Sequence, residues 1–152
     1  MTLLELSFLA LLLAVSLYDL RHYAIPDSLV LCLFGVGVAK VFLERSVLSP
    51  LLGASFLFGL FLFLHLLFPQ GMGFGDVKLA GSIGLFLGFR LSVVAFLLAF
   101  FSGSIVGLFL VLLRKKTLKD PLPFGPFLSF GAIVSLFFGE EIIAWYLNLW
   151  AW

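Results

Sequence analysis

Charge is scarce in this sequence. Asp, Glu, Lys and Arg make up only 11% of its 152 residues, while 63% are hydrophobic; an average soluble domain is about 25% charged and 45–50% apolar. A chain so composed cannot keep its apolar surface from water, so a soluble globular fold is excluded. Cysteine is scarcer still. The single Cys32 has no intramolecular partner, which excludes an internal disulfide and a paired-cysteine zinc site, and its apolar neighbours predict a small buried hydrophobe. A net charge of +1 provides no basic field for nucleic acid. The first apolar run, Thr2 to Tyr18, lacks the basic start and small-residue exit of a secretory signal and carries Glu5 instead, so it reads as a mature membrane helix. Long linkers, low-complexity segments and fixed-period repeats are missing too, and the expectation is one membrane-embedded domain over residues 1–152.

What is present is apolar runs, recurring along the whole length and each able to enter a hydrocarbon core roughly 30 Å thick as a helix. They predict an all-α, polytopic membrane fold of about six spans: Leu3 to Tyr18, Ser28 to Leu43, Leu51 to Phe68, Val77 to Phe89, Leu91 to Leu113 and Phe124 to Phe138. The fourth is short and glycine-rich, which suits a helix packed among neighbours, or one partly exposed to water, better than one facing lipid. Between the fourth and fifth stands a lone Arg90, predicting a tight turn there. With the N-terminus outside, Arg21, Lys78, Arg114, Lys115, Lys116 and Lys119 fall on the cytoplasmic side and Lys40, Arg45 and Arg90 on the outer side. Six against three favours that orientation, with the C-terminus also outside. Beyond Phe138, Glu140 and Glu141 lead to Trp145, Tyr146, Trp150 and Trp152, an interfacial anchor by composition.

Ionisable groups at bilayer depth cost about 2.5–3.5 kcal/mol on insertion scales, so each needs a reason. Asp19 stands at the end of the first span in Tyr18-Asp19-Leu20-Arg21, where a helix C-terminus is electrostatically poor for a carboxylate. Asp76 closes Gly71-Met72-Gly73-Phe74-Gly75-Asp76 and precedes Val77-Lys78-Leu79. Both acids fall at the cytoplasmic ends of their helices and can share one site although they are distant in sequence. Two close carboxylates in a poorly solvated site share a proton, leaving one to act as a base on water and the other as an acid. Such chemistry needs no metal, cofactor or nucleophilic serine. The alternating glycines Gly71, Gly73 and Gly75 are expected to supply unusual φ values and close backbone approach beside the acid, room for a substrate strand.

These segments resemble the type IV prepilin peptidase and preflagellin peptidase family, which belongs to the Gly-x-Gly-Asp membrane aspartyl proteases. The resemblance rests on Asp19 followed by Arg21 and then Pro26-Asp27, on Gly73-Phe74-Gly75-Asp76-Val77-Lys78-Leu79, and on Pro123-Phe124-Gly125-Pro126-Phe127-Leu128. Three motifs in order cover nearly the whole chain, whereas Gly-x-Gly-Asp alone is a weak signal. The resemblance implies a six-helix peptidase with catalytic Asp19 and Asp76; beside it, Gly73, Gly75 and Lys78 are read as a supporting loop, and no cofactor is expected. Its implied substrates are prepilin, pseudopilin or preflagellin precursors, cut at the cytoplasmic face of the inner membrane between a short basic leader and a hydrophobic helix. Many bacterial members carry two further Cys-x-x-Cys pairs and also methylate the new N-terminus; here the expectation is peptidase activity alone.

Plainer readings stand beside these. Asp27 after Pro26 is expected to N-cap the second span, although it could compete with Asp19 for the catalytic role. Lys78, two positions beyond Asp76, points to another side of the helix and snorkels or orients the site. Arg21 and His22 face headgroups, and His65, with no second ligand at helical spacing, is a hydrogen-bonded bundle residue. Arg114, Lys115, Lys116 and Lys119 fix topology and meet anionic membrane lipid. The pairs Gly84/Gly88 and Gly103/Gly107 suit close helix packing, within a monomer or in an oligomer. Competing functions are a small ion- or proton-coupled transporter using the same aspartates, a scaffold without catalysis, and a serine protease on Ser102 or Ser104, for which no partner histidine is evident.

Overall fold

A computed structural model describes residues 2–69, 71–115 and 122–149. They form six helices: α1 (Leu3–His22), α2 (Asp27–Glu44), α3 (Leu48–Leu67), α4 (Phe74–Leu87), α5 (Phe89–Leu112) and α6 (Gly125–Leu149). The fold is all-α and polytopic, as composition requires. Four helices, α1, α3, α5 and α6, are long and apolar enough to cross a membrane. Large apolar side chains such as Leu13, Phe101, Ile105 and Leu108 point outward from the bundle, as a lipid-facing surface requires.

Local signals account for the helix ends. Glu5 completes a capping box: its carboxylate accepts from the Thr2 N–H at 2.7 Å while the Thr2 hydroxyl accepts from the Glu5 N–H at 3.2 Å. An acid at the head of an apolar helix thereby satisfies otherwise orphaned donors. α1 stops at Tyr23 and α2 at Arg45, both left-handed (φ 52° and 51°).

Between α4 and α5 the chain turns at Gly88, whose φ of +77° suits glycine. Arg90 already lies inside α5, so the break is at the glycine and not at the charge. α6 also runs through Phe138 to Leu149; Glu140, Glu141, Trp145 and Tyr146 are helical, and the tail expected after Phe138 is a continuation of the last helix. Trp150, Trp152, Lys116 and Lys119 lie outside the described residues. Cys32 is exposed on α2, contrary to the buried site its neighbours suggested, because an apolar run in lipid does not distinguish inside from outside.

α4 is the hub. At 14 residues it is only about 21 Å long, too short to cross the hydrocarbon core by itself, and it packs against α2, α3, α5 and α6. Most of its residues beyond the first turn are buried. On α3, Gly53 meets Gly84 so closely that a Cβ on Gly84 would collide with the Gly53 carbonyl oxygen, the small-residue approach that membrane helices use when water supplies no drive to associate. At the far end of α4, the Lys40 ammonium donates to the Phe86 carbonyl at 2.9 Å and lies 4.4 Å from that ring's centroid. Phe8 of α1 stacks on the same ring at 3.8 Å. A cation on the last carbonyls of a helix satisfies both the orphan acceptor and the dipole. The opposite end of the bundle gathers the α1–α2, α3–α4 and α5–α6 connections around one cavity.

Candidate active site

Asp19 occupies the last turn of α1, only 4% exposed. One carboxylate oxygen, Oδ2, accepts the Gly125 N–H at 2.9 Å. Gly125 opens α6 within Pro123-Phe124-Gly125-Pro126, so the third motif holds the first acid in place with a free amide at a helix N-terminus, where negative charge is favoured. A Cβ on residue 125 would stand 2.7 Å from that oxygen. Glycine is needed here for approach, not for φ, and the proline that follows it is tolerated because the first turn lacks intrahelical donors anyway.

Asp76 lies in the first turn of α4, 8% exposed. Its Oδ2 accepts the Gly73 N–H at 3.2 Å, while Oδ1 is buried without a hydrogen-bond partner among the described residues. A buried carboxylate oxygen left in that condition is exceptional and calls for an explanation. Gly71, Gly73 and Gly75 were expected to supply unusual φ values, yet among the described glycines only Gly88 has positive φ. The contribution of Gly75 is proximity: a Cβ there would stand 3.1 Å from Ile25 Cβ, so the glycine lets the α1–α2 connection close onto the α4 head. His65, in the last turn of α3, places Nδ1 2.7 Å from the Met72 carbonyl oxygen and its ring 5.8 Å from that of Phe74. It is the hydrogen-bonded bundle residue expected, and its partner is the residue before Gly73.

Asp19 and Asp76 thus line one cavity of about 410 Å³, with Tyr23, Ile25, Asp27, Gly73, Gly75 and Phe124 among its walls. The two carboxylates come from α1 and α4, and the three connections add apolar walls such as Ile25, Met72 and Phe124. Lys78 is not among the lining residues. It donates to Asp27 Oδ1 at 2.7 Å, tying the start of α2 to α4. Asp27 is the first residue of α2 and makes no capping bond, which corrects the expected N-cap: Pro26 holds that position, and the Asp27 carboxylate finds a cation across the bundle. Arg21 and His22 are exposed, and His22 stacks on Tyr18 at 4.2 Å. The Ser102 hydroxyl donates to the Leu98 carbonyl of its own helix at 2.7 Å, a structural use. No group of three or more His, Cys, Asp and Glu is placed to hold a metal ion among the described residues.

Sequence reasoning missed the Gly125 clamp and the Asp27–Lys78 pair, which are contacts between separate helices, and the His65–Met72 bond, which ties α3 to the connection that follows it. Only Gly125 carried a local signal, a glycine before proline in an otherwise apolar stretch.

Comparison with known proteins points to one family. The Type IV leader peptidase family matches residues 6–108, which include both aspartates. The chain is 32% identical over 148 residues to a prepilin leader peptidase/N-methyltransferase of Legionella pneumophila, covering 92% of this chain and 51% of that protein. It is 37% identical over 144 residues to the protein of the same name from Pseudomonas aeruginosa, covering 90% and 50%. An Aeromonas salmonicida protein of that name is 34% identical over 144 residues, with the same coverage. The chain therefore spans about half the length of the curated relatives it matches. No solved structure matches it.

Proposed function

Because the chain belongs to the type IV leader peptidase family, we propose that it is an integral-membrane aspartyl endopeptidase that removes the leader of prepilin-like precursors, with Asp19 and Asp76 as its catalytic pair. The observation that carries this reading is the burial of two carboxylates, from helices distant in sequence, in the wall of one cavity. In hydrolysis, the ionised member takes a proton from water as the water oxygen attacks the scissile carbonyl carbon. The protonated member donates to the carbonyl oxygen. Collapse of the tetrahedral intermediate breaks the C–N bond and delivers a proton to the leaving amine.

Each acid has one oxygen held by a backbone amide, Asp19 by Gly125 and Asp76 by Gly73, so orientation is set before substrate arrives. The unpartnered Asp76 Oδ1 is the atom we assign to the attacking water or the substrate carbonyl. The substrates are prepilin, pseudopilin or preflagellin precursors. Among the described residues Arg21, Lys78, Arg114 and Lys115 belong to the cavity end of the bundle and Lys40, Arg45 and Arg90 to the other, which supports a cytoplasmic active site in the inner membrane, within a single domain that includes both aspartates. Purified protein in detergent, with no ion gradient, is expected to cut a prepilin-type precursor at its leader junction. An inert preparation that instead moves protons or cations when reconstituted would favour transport.

A further inference from the structure

A second concavity lies beside the cavity of the two aspartates. It is a groove of about 610 Å³ between α2, α3 and α4, walled by apolar side chains such as Leu31 and Phe34 of α2 and Phe58 of α3. Leu31 is 69% exposed and Phe34 49%, so the groove opens sideways to the membrane. At one end stand Asp27 and Lys78, the ion pair described above. Asp27 also lines the aspartate cavity, and Lys78 follows Asp76 by two residues on α4. The polar groove residue Ser82 has its hydroxyl donated to the Lys78 carbonyl at 3.0 Å, and so asks nothing of an occupant. The groove is thus lined mainly by apolar side chains, with Ser55 and Ser82 as its hydroxyls, is charged only at Asp27 and Lys78, and shares Asp27 with the cavity.

We propose that this groove binds the substrate itself: an apolar, membrane-embedded segment of the polypeptide lies between α2, α3 and α4, and the adjoining residues pass Asp27 into reach of Asp19 and Asp76. This rests on the peptidase reading above. A chain threaded into the cavity must continue on at least one side of the cut bond, and the groove is the apolar concavity that shares a wall residue, Asp27, with the cavity. Binding far from the reacting atoms would supply affinity and register without touching the chemistry.

The test uses the full chain in detergent and two forms of one prepilin-type precursor: the natural form, and one whose apolar residues beyond the leader junction are replaced by Ser and Gly. Ser55 lines the groove from an exposed position, so Ser55→Trp fills it with little burden on folding. The expectation is a KM for the natural form raised about tenfold with kcat retained, and a much smaller change for the polar form. Leu108→Trp, on the outward face of α5, is the control and leaves both as in wild type. Equal kinetics of Ser55→Trp and wild type on the natural form would overturn the proposal. As a measurement independent of turnover, a photo-crosslinker at position 31 or 34 in the Asp76→Asn background should capture the precursor's apolar segment; capture of detergent or lipid alone would overturn it too. Failure of wild type to cut either form would instead count against the peptidase reading.

Discussion

At the residue scale, the site is organised by backbone amides that reach single carboxylate oxygens. Gly125→Ala drives a methyl group against Asp19 Oδ2, and a displacement of this kind near the reacting atoms is expected to lower kcat about 100-fold. Thermal unfolding in detergent should move far less, because the clash is with one side chain. His65 acts at one remove. Its Nδ1 faces a carbonyl oxygen and must carry the proton to donate to it, which fixes Met72 and hence the Gly73 amide on Asp76. His65→Leu is expected to cost about 1 kcal/mol of stability and roughly tenfold in kcat. His65→Asn, whose amide nitrogen falls near the Nδ1 position, should recover most of both; a merely bulky role would be served equally well by leucine. The Asp27–Lys78 pair is exposed, with side-chain exposures of 76% and 35%, so breaking it should change stability by no more than about 1 kcal/mol.

At the scale of elements, α4 carries the argument. It is too short to stand alone in a bilayer and is held by its neighbours, and the closest of these approaches is glycine on glycine. Gly84→Ala should destabilise by about 1–3 kcal/mol, since the methyl meets the Gly53 backbone, which cannot turn aside as a side chain would. Gly35→Ala, with nothing within 4 Å of the added Cβ, should be neutral or stabilise by up to about 1 kcal/mol through helix propensity. Unfolding midpoints of the two variants in one detergent decide whether packing or propensity governs. The same helices show what a sequence makes legible. Six apolar runs became six helices, because in lipid a helix is the only local solution to backbone hydrogen bonding. The shortness and glycines of α4 set it apart from a lipid-facing helix but left burial and partial exposure to water as alternatives, and its neighbours decide for burial. What stayed hidden was sidedness: Cys32 and the α4–α5 break at Gly88 depend on which neighbour stands opposite, and an all-apolar helix has no polar stripe to reveal that.

At the scale of the whole molecule, the three connections that build the cavity share one end of the bundle, and Lys40 and Arg45 belong to the other. With Cys32 replaced by serine, a cysteine at position 45 should react with a membrane-impermeant thiol reagent added to the outside of intact cells, and one at position 114 only after the membrane is opened. The reverse pattern would place the cavity outside. Asp19, Asp76 and their glycine setting were legible because acids are costly in an apolar chain and therefore stand out. Their convergence was legible only as a matter of topology, and the amides and the histidine that hold them appeared only with the helices assembled.

The most direct measurement is the rate of leader cleavage by purified protein in detergent, comparing wild type with Asp19→Asn, Asp76→Asn and Asp27→Asn. A paired-carboxylate mechanism requires that either of the first two substitutions, which keep shape but remove the acid–base function, lower turnover about 10³-fold or more. Asp27→Asn should stay within about tenfold of wild type, since its carboxylate is engaged by Lys78. Turnover near the wild-type rate in Asp19→Asn or in Asp76→Asn would contradict the assignment of the pair.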